Sequence, residues 1–405
     1  MKNILVLTPI YPADDLDNGS TPVVHFFTKE WVKLGYNVVV MHYAVNFPAF
    51  LYLAIKPFRG ILASKQGFTI REKKTKYREY VLDGVTVCRI SLTKWRPHTR
   101  YSKREISKAL TKTLDFCTKK SFVPDIICSH WVNPSYELMH VLKAKWNVPT
   151  CFVAHDIGKD LLTLYENETK EFISETNVFG YRSRHIKELF EKNFSCYDKH
   201  SFMCFSGIPQ NCVSYENNNN REFEKISNYI FVGTLVERKY PAEIIPAVKS
   251  VYGDEPFKVS YIGIGSEKNK IIRFAQNYNC IENVHLYGYM DRQKVFAELC
   301  KNDVFVMISR NETFGLVYLE AMAAGCIVIA SKNEGFDGII ENGVNGFLCD
   351  AGDVAQLSNL ISSIRNMEPR RLNEISKNAQ GTAKRLTDEN VARNYVENIF
   401  RSIEE

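Results

Sequence analysis

The most informative stretch of this sequence is Ser309-Arg310-Asn311-Glu312-Thr313-Phe314-Gly315-Leu316-Val317-Tyr318-Leu319-Glu320-Ala321-Met322-Ala323-Ala324-Gly325. It follows an apolar run at 304–308 that predicts a buried strand, and from Gly315 onward apolar residues recur at helical spacing. A helix that begins there offers unpaired N–H groups and the positive end of its dipole to a phosphate. Glu312 before the helix and Glu320 within it add carboxylates that can accept hydrogen bonds from sugar hydroxyls.

The same alternation of strands and helices extends outward in both directions. Short apolar runs predict buried strands at 4–7, 36–41, 125–128, 149–154, 229–233, 257–262, 283–286, 303–308 and 326–330. Between them, helices are predicted at 103–116 and 136–145, and Asp353 is placed to cap a late helix with Gln356 three residues on. An exception is the hairpin pattern at 80–90 around Asp83-Gly84. The order predicts an α/β protein built on parallel sheets.

The length and one composition shift indicate two domains. A chain of 405 residues is too long for one ordinary core. Residues 209–224 are polar throughout and include four consecutive asparagines, 217–220, so we place a boundary there. The predicted domains are 1–208 and 209–385, followed by a helix at 386–405. Parallel sheets bind ligands at the carboxyl ends of their strands, so a site in a cleft between the two domains is expected.

Cysteine usage and hydropathy suggest a cytoplasmic protein. The 11 cysteines are scattered, with no C-x-x-C pair and no zinc spacing, which is typical of free buried thiols. The N-terminal apolar run is too short for a signal peptide, and no stretch approaches the roughly 20 apolar residues that span a bilayer. We therefore expect a cytoplasmic location.

The positive charge is concentrated in one region. Residues 51–120 contain 18 Lys/Arg and 5 Asp/Glu, whereas the whole chain has a net charge of +6. An anionic membrane surface that carries a lipid-linked acceptor is one candidate partner, and it would place the protein peripherally at the inner face of the membrane. An inserted acceptor-domain loop without lipid contact is the other reading. No recognised nucleic-acid-binding module is present, so nucleic acid is not expected as a partner.

Several segments resemble motifs of the retaining GT-B glycosyltransferases, and their surroundings look like family 4 of that class. Glu312 and Glu320 match the signature E-x7-E. The other matching segments are 231–239 (V-G-R-L-x-x-x-K), 262–266 (G-x-G-P), 285–289 (F-x-G), 335–346 (G-x-x-E-x-x-x-x-G-x-x-G), Gly19-Ser20-Thr21 (glycine loop), Cys128-Ser129-His130 (H-x-H) and Val153-Ala154-His155-Asp156 (x-H-D). The resemblance is nearly continuous over 229–350 and patchy over 1–210.

The resemblance implies a GT-B fold, with two Rossmann-like domains facing across a cleft and the C-terminal helix returning to the N-terminal domain. It implies a donor site in which Glu320 binds the ribose, Glu312 faces the donor sugar and Lys239 neutralises the diphosphate. The remaining donor-binding positions that it implies are Gly19, Thr234, Arg238, Gly288, Tyr289, Thr313, Phe314, Gly315 and Leu316. At one point the sequence departs from the family, because Thr234 stands where an arginine is usual; Arg238 is the candidate replacement.

The resemblance also implies the reaction. A sugar would pass from a nucleotide-diphosphate donor, expected to be a UDP-sugar, to a saccharide or lipid-linked acceptor with retention of configuration. The departing diphosphate would take the acceptor proton, and neither a metal nor a cofactor is expected. A histidine at a first-domain strand end would line the sugar. Both His130 and His155 fit, and His130 is preferred because Trp131-Val132-Asn133 continues like the family's acceptor loop. With Glu312, these histidines are the catalytic candidates.

Other interpretations were weighed against this one. Asp15-Leu16-Asp17 spells the metal–diphosphate motif D-x-D of another glycosyltransferase fold, but no pattern of that fold surrounds it, so we interpret it as a polar loop. Gly263-Ile264-Gly265 is half of a dinucleotide fingerprint, with Lys268 in place of the third glycine. The alternatives that stay open are a GT-B-fold sugar-nucleotide epimerase and a non-catalytic nucleotide-sugar-binding protein.

Overall fold

Residues 1–16, 22–48, 52, 74–214 and 222–404 are described by the structure, a computed structural model, with side chains up to 402. They form two units. The first comprises Met1–Arg182, Ile186–Phe205 and Asp388–Glu405, and the second comprises Ser183–His185 and Ser206–Thr387. Apart from Ser183–His185, the chain changes unit close to residue 205 and changes back at Asp388.

The first unit is built on an eight-stranded sheet with the order β3-β4-β2-β1-β5-β6-β7-β8. Its strands are β1 Asn3–Thr8, β2 Asn37–Asn46, β3 Arg78–Leu82, β4 Val85–Thr93, β5 Ile126–His130, β6 Thr150–Ala154, β7 Val178–Tyr181 and β8 His200–Met203. Its helices are α1 Val23–Lys33, α2 Lys103–Lys119, α3 Ser135–Trp146, α4 Lys159–Leu164, α5 Thr169–Glu175, α6 Arg184–Phe194 and the C-terminal α14 Asp388–Glu404. All pairs are parallel except β3–β4.

The second unit is built on a six-stranded parallel sheet with the order β11-β10-β9-β12-β13-β14. Its strands are β9 Asn228–Val232, β10 Lys258–Ile262, β11 Val284–Gly288, β12 Val304–Met307, β13 Ile327–Ser331 and β14 Phe347–Cys349. Its helices are α7 Gln210–Ser214, α8 Ile244–Tyr252, α9 Lys268–Asn277, α10 Arg292–Leu299, α11 Leu316–Ala323, α12 Val354–Arg365 and α13 Pro369–Arg385. Short 3-10 turns occupy Glu237–Lys239 and Ile281–Asn283.

The predicted α/β class with two Rossmann-like, parallel-sheet domains is confirmed. Each predicted strand is present to within a few residues, and Asp83-Gly84 forms the turn of the antiparallel pair β3–β4 with positive φ at both residues. Asp353 caps α12 by accepting from the Gln356 N–H at 2.9 Å. Strands β7, β8 and β14 were not predicted. They have four, four and three residues, too few for a periodic pattern.

The C-terminal helix α14 is part of the first unit. Trp31 on α1 donates its indole N–H to the carbonyl of Ala392 at 2.8 Å, and Tyr395 packs edge-on against the Trp31 ring. Tyr395 is fully buried, and the sheet strands next to it carry Cys151 and Phe202. The helix thereby brings a tyrosine hydroxyl from the end of the chain to the carboxyl end of β5.

No helix among the described residues is long and apolar enough to cross a membrane. The 11 cysteines are free thiols, and ten of them are buried; Cys300 is half-exposed. They lie in both units and behave as small apolar side chains, as their positions in apolar runs predicted.

Candidate functional site

The segment after β12 forms the predicted strand–loop–helix. Gly315 precedes α11 with φ of +84°, and a Cβ there would lie 2.5 Å from the Tyr318 ring. Only glycine fits such a left-handed, crowded position without strain. Tyr318 in turn donates its hydroxyl to the carbonyl of Met307, the last residue of β12, at 2.6 Å. The start of α11 is therefore tied to the strand end, and its first N–H groups are held in place for an anion.

The loop that carries Glu312 is held from a second side. The backbone N–H of Glu312 donates to Oε2 of Glu334 at 2.8 Å, and the Glu312 carbonyl accepts from the Gly335 N–H at 2.8 Å. A Cβ at Gly335 would lie 2.4 Å from the backbone of Phe314, so the two loops touch through their main chains. Glu334 was not predicted, because it lies just outside the glycine pattern that begins at Gly335.

Two cations approach the Glu312 carboxylate. Lys239 Nζ lies 3.1 Å from Glu312 Oε2, and Arg238 lies 3.7 Å from the same oxygen. Side chains of Lys239 and Glu312 are mostly buried, with 13% and 15% exposed, whereas that of Arg238 is 46% exposed. Arg238 also donates to the carbonyls of Arg310 and Asn311 at 3.2 and 3.4 Å.

This geometry bears on the missing family arginine. Thr234 lies exposed on the loop after β9, while the 3-10 turn at Glu237–Lys239 swings both Arg238 and Lys239 toward Glu312. In regular structure two consecutive side chains would point apart, but Arg238 and Lys239 lie in a tight 3-10 turn and both reach Glu312. The structure thus brings a second cation to the loop from position 238.

Glycines join the carboxyl ends of β9, β10 and β11 without intervening side chains. A Cβ at Gly263 would lie 1.9 Å from the Gly233 carbonyl oxygen, and Gly263 donates to the Gly288 carbonyl at 2.7 Å. Gly288 is left-handed with φ of +74°, and the following Tyr289 is 79% exposed. The half-fingerprint at 263–265 is therefore a structural crossing of two loops rather than a dinucleotide turn.

Glu320 is buried in α11 and has a charged partner that the sequence did not predict. Arg292, the first residue of α10, donates from Nε to Glu320 Oε1 at 2.5 Å. Burial raises the pKa of Glu320, and the charge and hydrogen bond of Arg292 oppose that rise. Arg292 also lines a cavity of about 890 Å³ with Phe296 on α10 and Cys300 just after it. The only sequence signal for Arg292 was its place three residues after Tyr289.

The two histidines of the first unit lie in contact at adjacent strand ends. His130 Nδ1 and His155 Nε2 are 3.0 Å apart, and the His155 ring stacks on Trp131 with the ring centroids 3.8 Å apart. His130 is fully buried, whereas His155 is partly exposed and lines a cavity of about 130 Å³ with Asp156 and Gly158. Of the two rings, that of His155 is the one with accessible surface, and the preference for His130 stays a prediction.

The remaining predicted positions divide as follows. Gly19 lies outside the described residues, as does Asp17 of the D-x-D sequence. Asp15 instead receives two hydrogen bonds from the guanidinium of the buried Arg89, at 2.7 and 2.6 Å, and this pairing lowers the pKa of Asp15 to about 2. Phe314 is buried, whereas Thr313 is exposed and Leu316 half-buried at the helix start.

Residues 216–382 match the model of the family "Glycosyl transferases group 1". The second unit thus carries the sequence pattern of the group 1 glycosyltransferases. The matched residues include every predicted position of the second unit, from Thr234 to Glu320. This match supports the resemblance to glycosyltransferases that the motifs suggested.

Curated relatives of this chain include glycosyltransferases. The chain is 27% identical to the uncharacterized glycosyltransferase MJ1178 of Methanocaldococcus jannaschii over 61% of this chain and 67% of that protein. Several further curated relatives align with the chain over only 33% to 42% of their own lengths.

Solved structures match over the whole chain. Alr3699/HepE from Anabaena in complex with UDP has a TM-score of 0.66 at 15% identity, covering 99% of this chain and all of that one. The lipopolysaccharide outer core galactosyltransferase WaaB has a TM-score of 0.67 at 17% identity, covering 99% of each chain. At such low identity these matches establish the shared GT-B fold.

Proposed function

We propose that this group 1 glycosyltransferase transfers a sugar from a UDP-sugar to a saccharide or lipid-linked acceptor, with retention of configuration. The observation that carries the proposal is the convergence of Lys239 and Arg238 on Glu312 beside the Gly315 helix start. A diphosphate needs both positive charge and N–H donors, and these elements supply them in one unit.

Each residue has a distinct role in the proposed reaction. Cleavage of the glycosidic bond builds negative charge on the departing diphosphate, and Lys239, Arg238 and the α11 N–H groups stabilise that charge. Glu312 holds the two cations in place and accepts a hydrogen bond from the donor sugar. Glu320, oriented by Arg292, accepts from the ribose hydroxyls. These groups supply the stabilisation without a metal, so we propose a metal-independent reaction.

A nucleotide base in the donor is supported by the exposed surface beside β11. Tyr289 and Ile264 are 79% and 62% exposed, and an exposed aromatic ring next to a strand end offers a stacking face for a base. Alr3699/HepE, which shares the fold, is known in complex with UDP. WaaB, by its name, transfers galactose to the lipopolysaccharide outer core, which suits a saccharide acceptor in glycoconjugate synthesis.

The decisive experiment is a nucleotide-sugar panel. Binding is measured by calorimetry for UDP-, GDP-, ADP- and CDP-sugars, and slow donor hydrolysis is followed with and without EDTA. We expect UDP-sugars to bind, Glu320→Ala to abolish binding, and EDTA to change nothing. Absence of binding by every nucleotide sugar would contradict the proposal, and donor turnover to an isomeric nucleotide sugar without acceptor would favour an epimerase.

We also propose that the basic region contacts an anionic membrane surface from the cytoplasmic side. Within its described part, Trp95 is 74% exposed and is followed by the exposed Arg96, and Lys103 and Arg104 are exposed at the start of α2. An aromatic ring among cations suits the headgroup region. In a sedimentation assay, we expect binding to vesicles that contain phosphatidylglycerol, weakening with salt and with Trp95→Ser/Arg96→Ser. Equal binding to neutral vesicles would contradict it.

A further inference from the structure

A hydrogen-bonded chain runs through the first unit from the C-terminal helix to the ligand-accessible histidine. Tyr395 Oη lies 3.3 Å from His130 Nε2, and His130 Nδ1 lies 3.0 Å from His155 Nε2. Both nitrogens of His130 are therefore occupied, and the nitrogen of His155 outside the chain is Nδ1. Since the His155 ring lines the small cavity with Asp156 and Gly158, the chain ends at an accessible ring.

Both histidines carry a single ring proton. Burial lowers the pKa of His130 to about 3, with the charge of Arg182 acting in the same direction. Burial also lowers the pKa of His155 well below its usual range, with further contributions from His130 and Arg182. Arg182 is itself buried and donates to the Cys204 carbonyl at 2.6 Å, so a positive charge stays beside the pair. Because each neutral ring has one N–H and one acceptor nitrogen, the direction of each hydrogen bond depends on which nitrogen carries the proton.

Two proton orders are compatible with these distances. In the first, Tyr395 donates to His130 Nε2, His130 donates from Nδ1 to His155 Nε2, and His155 carries its proton on Nδ1. In the second, every bond is reversed, and His155 Nδ1 is left as an acceptor. In the second order the Tyr395 hydroxyl accepts from His130, so its own proton must go to another acceptor. Cys151 Sγ, 4.0 Å away, is the candidate. A buried hydroxyl without a good acceptor is destabilising, so the first order is favoured.

We propose that Tyr395 is a positioning residue that fixes the tautomer of His155 through His130, so that His155 presents a neutral Nδ1–H as a hydrogen-bond donor. His155 then binds an oxygen atom of a ligand rather than taking up a proton. That the ligand is a sugar rests on the proposed function, whereas the tautomer does not. Trp131, whose backbone is left-handed with φ of +61°, holds the ring by stacking on it.

The test is a long-range ¹H–¹⁵N correlation spectrum of the full chain labelled with ¹⁵N-histidine, which reports the tautomer of each ring. Assignment uses His130→Gln and His155→Gln. In the wild type we expect both His130 and His155 to carry the proton on Nδ1 at pH 7. In Tyr395→Phe, which removes only the hydroxyl, we expect the His155 signals to move toward the Nε2-protonated form. Tyr43→Phe is the matched control, since Tyr43 is also buried and bonds Thr113 instead.

A wild-type His155 protonated on Nε2, or a Tyr395→Phe spectrum identical to that of the wild type, would overturn the proposal. Turnover gives a second readout. If the proposed transfer is correct, Tyr395→Phe lowers kcat about 10-fold with KM for the acceptor unchanged, because one donor is lost in only part of the molecules. If Tyr395→Phe changes the tautomer but the wild type turns over no nucleotide sugar, the proposed function is refuted and the tautomer proposal stands.

Discussion

Lys239 and Glu312 face each other with 3.1 Å between Nζ and Oε2, although they lie on loops that follow different strands of the same sheet. The Lys239 ammonium also lies 3.7 Å from the Met307 sulfur at the end of β12. Lys239 is mostly buried and pairs with one carboxylate, and Arg238 approaches the same carboxylate as a second cation. These two cations are what the proposed diphosphate would meet.

Lys239→Met is expected to lower turnover of the nucleotide sugar by about 10²–10³-fold, the usual cost of removing one group that stabilises charge in the transition state. Steady-state kinetics with saturating donor checks it. Lys249→Met is the control, since Lys249 on α8 pairs with the exposed Asp254 just after that helix. In the double variant Lys239→Met/Glu312→Gln no unpaired carboxylate remains, so we expect stability to recover while turnover stays low. Recovery of turnover in the double variant would contradict the role of Lys239.

Arg292→Gln is expected to destabilise the second unit by about 1–3 kcal/mol at pH 7.5, less than the full value for a buried pair because Arg292 is 39% exposed. The loss depends on pH. Burial raises the pKa of Glu320, so the folded state holds the Glu320 proton more tightly than the unfolded state does. The stability that this proton contributes is full at low pH and is lost as pH rises through the folded-state pKa. Without Arg292 the pKa of Glu320 rises further. Arg292 stabilises only the charged Glu320, so the difference in stability between Arg292→Gln and the wild type should shrink as pH falls from 7.5 to 5.

Thermal unfolding of the two proteins across this pH range measures the effect. Arg292→Gln/Glu320→Gln is the matched control, because the amide does not titrate and the pH dependence should disappear. A pH-independent destabilisation by Arg292→Gln would show that the guanidinium acts through packing alone.

Gly315→Ala is expected to destabilise the second unit by about 2–3 kcal/mol, because the residue is left-handed and its Cβ would overlap the Tyr318 ring. Gly343→Ala has a similar φ of +75° but open space around it, so only the backbone cost of about 1 kcal/mol should appear. Chemical denaturation of both variants separates the two terms. Equal losses would mean that Tyr318 moves aside without cost.

Asp15→Asn is expected to lower the stability of the first unit by about 1–2 kcal/mol at pH 7, because it leaves the buried Arg89 without its charged partner. Since pairing lowers the pKa of Asp15 to about 2, the stabilisation is present above about pH 4 and is lost as pH falls toward 2. Thermal unfolding at pH 7, 5 and 3 follows it. Asp14→Asn, at an exposed carboxylate that pairs with Arg78, should change much less.

The sequence by itself determined the architecture and the position of the candidate site. Apolar runs ended by glycine, asparagine and proline mark most strands, because a strand covered on both faces must be apolar throughout. Gly315 marked the helix start, since a left-handed residue beside an aromatic ring leaves room for no other side chain. Glu312 and Glu320 were found because their spacing is local.

Only the tertiary structure decided which partners those residues meet. Arg292 reaches Glu320 across 28 positions, and Tyr395 reaches His130 across 265, so no local pattern could relate them. The difference in accessible surface between His130 and His155 likewise depended on which ring the C-terminal helix buries. Local spacing dictates secondary structure because backbone geometry repeats over a few residues. Pairing between distant side chains depends instead on how strands and helices pack, and that packing is set by the whole chain.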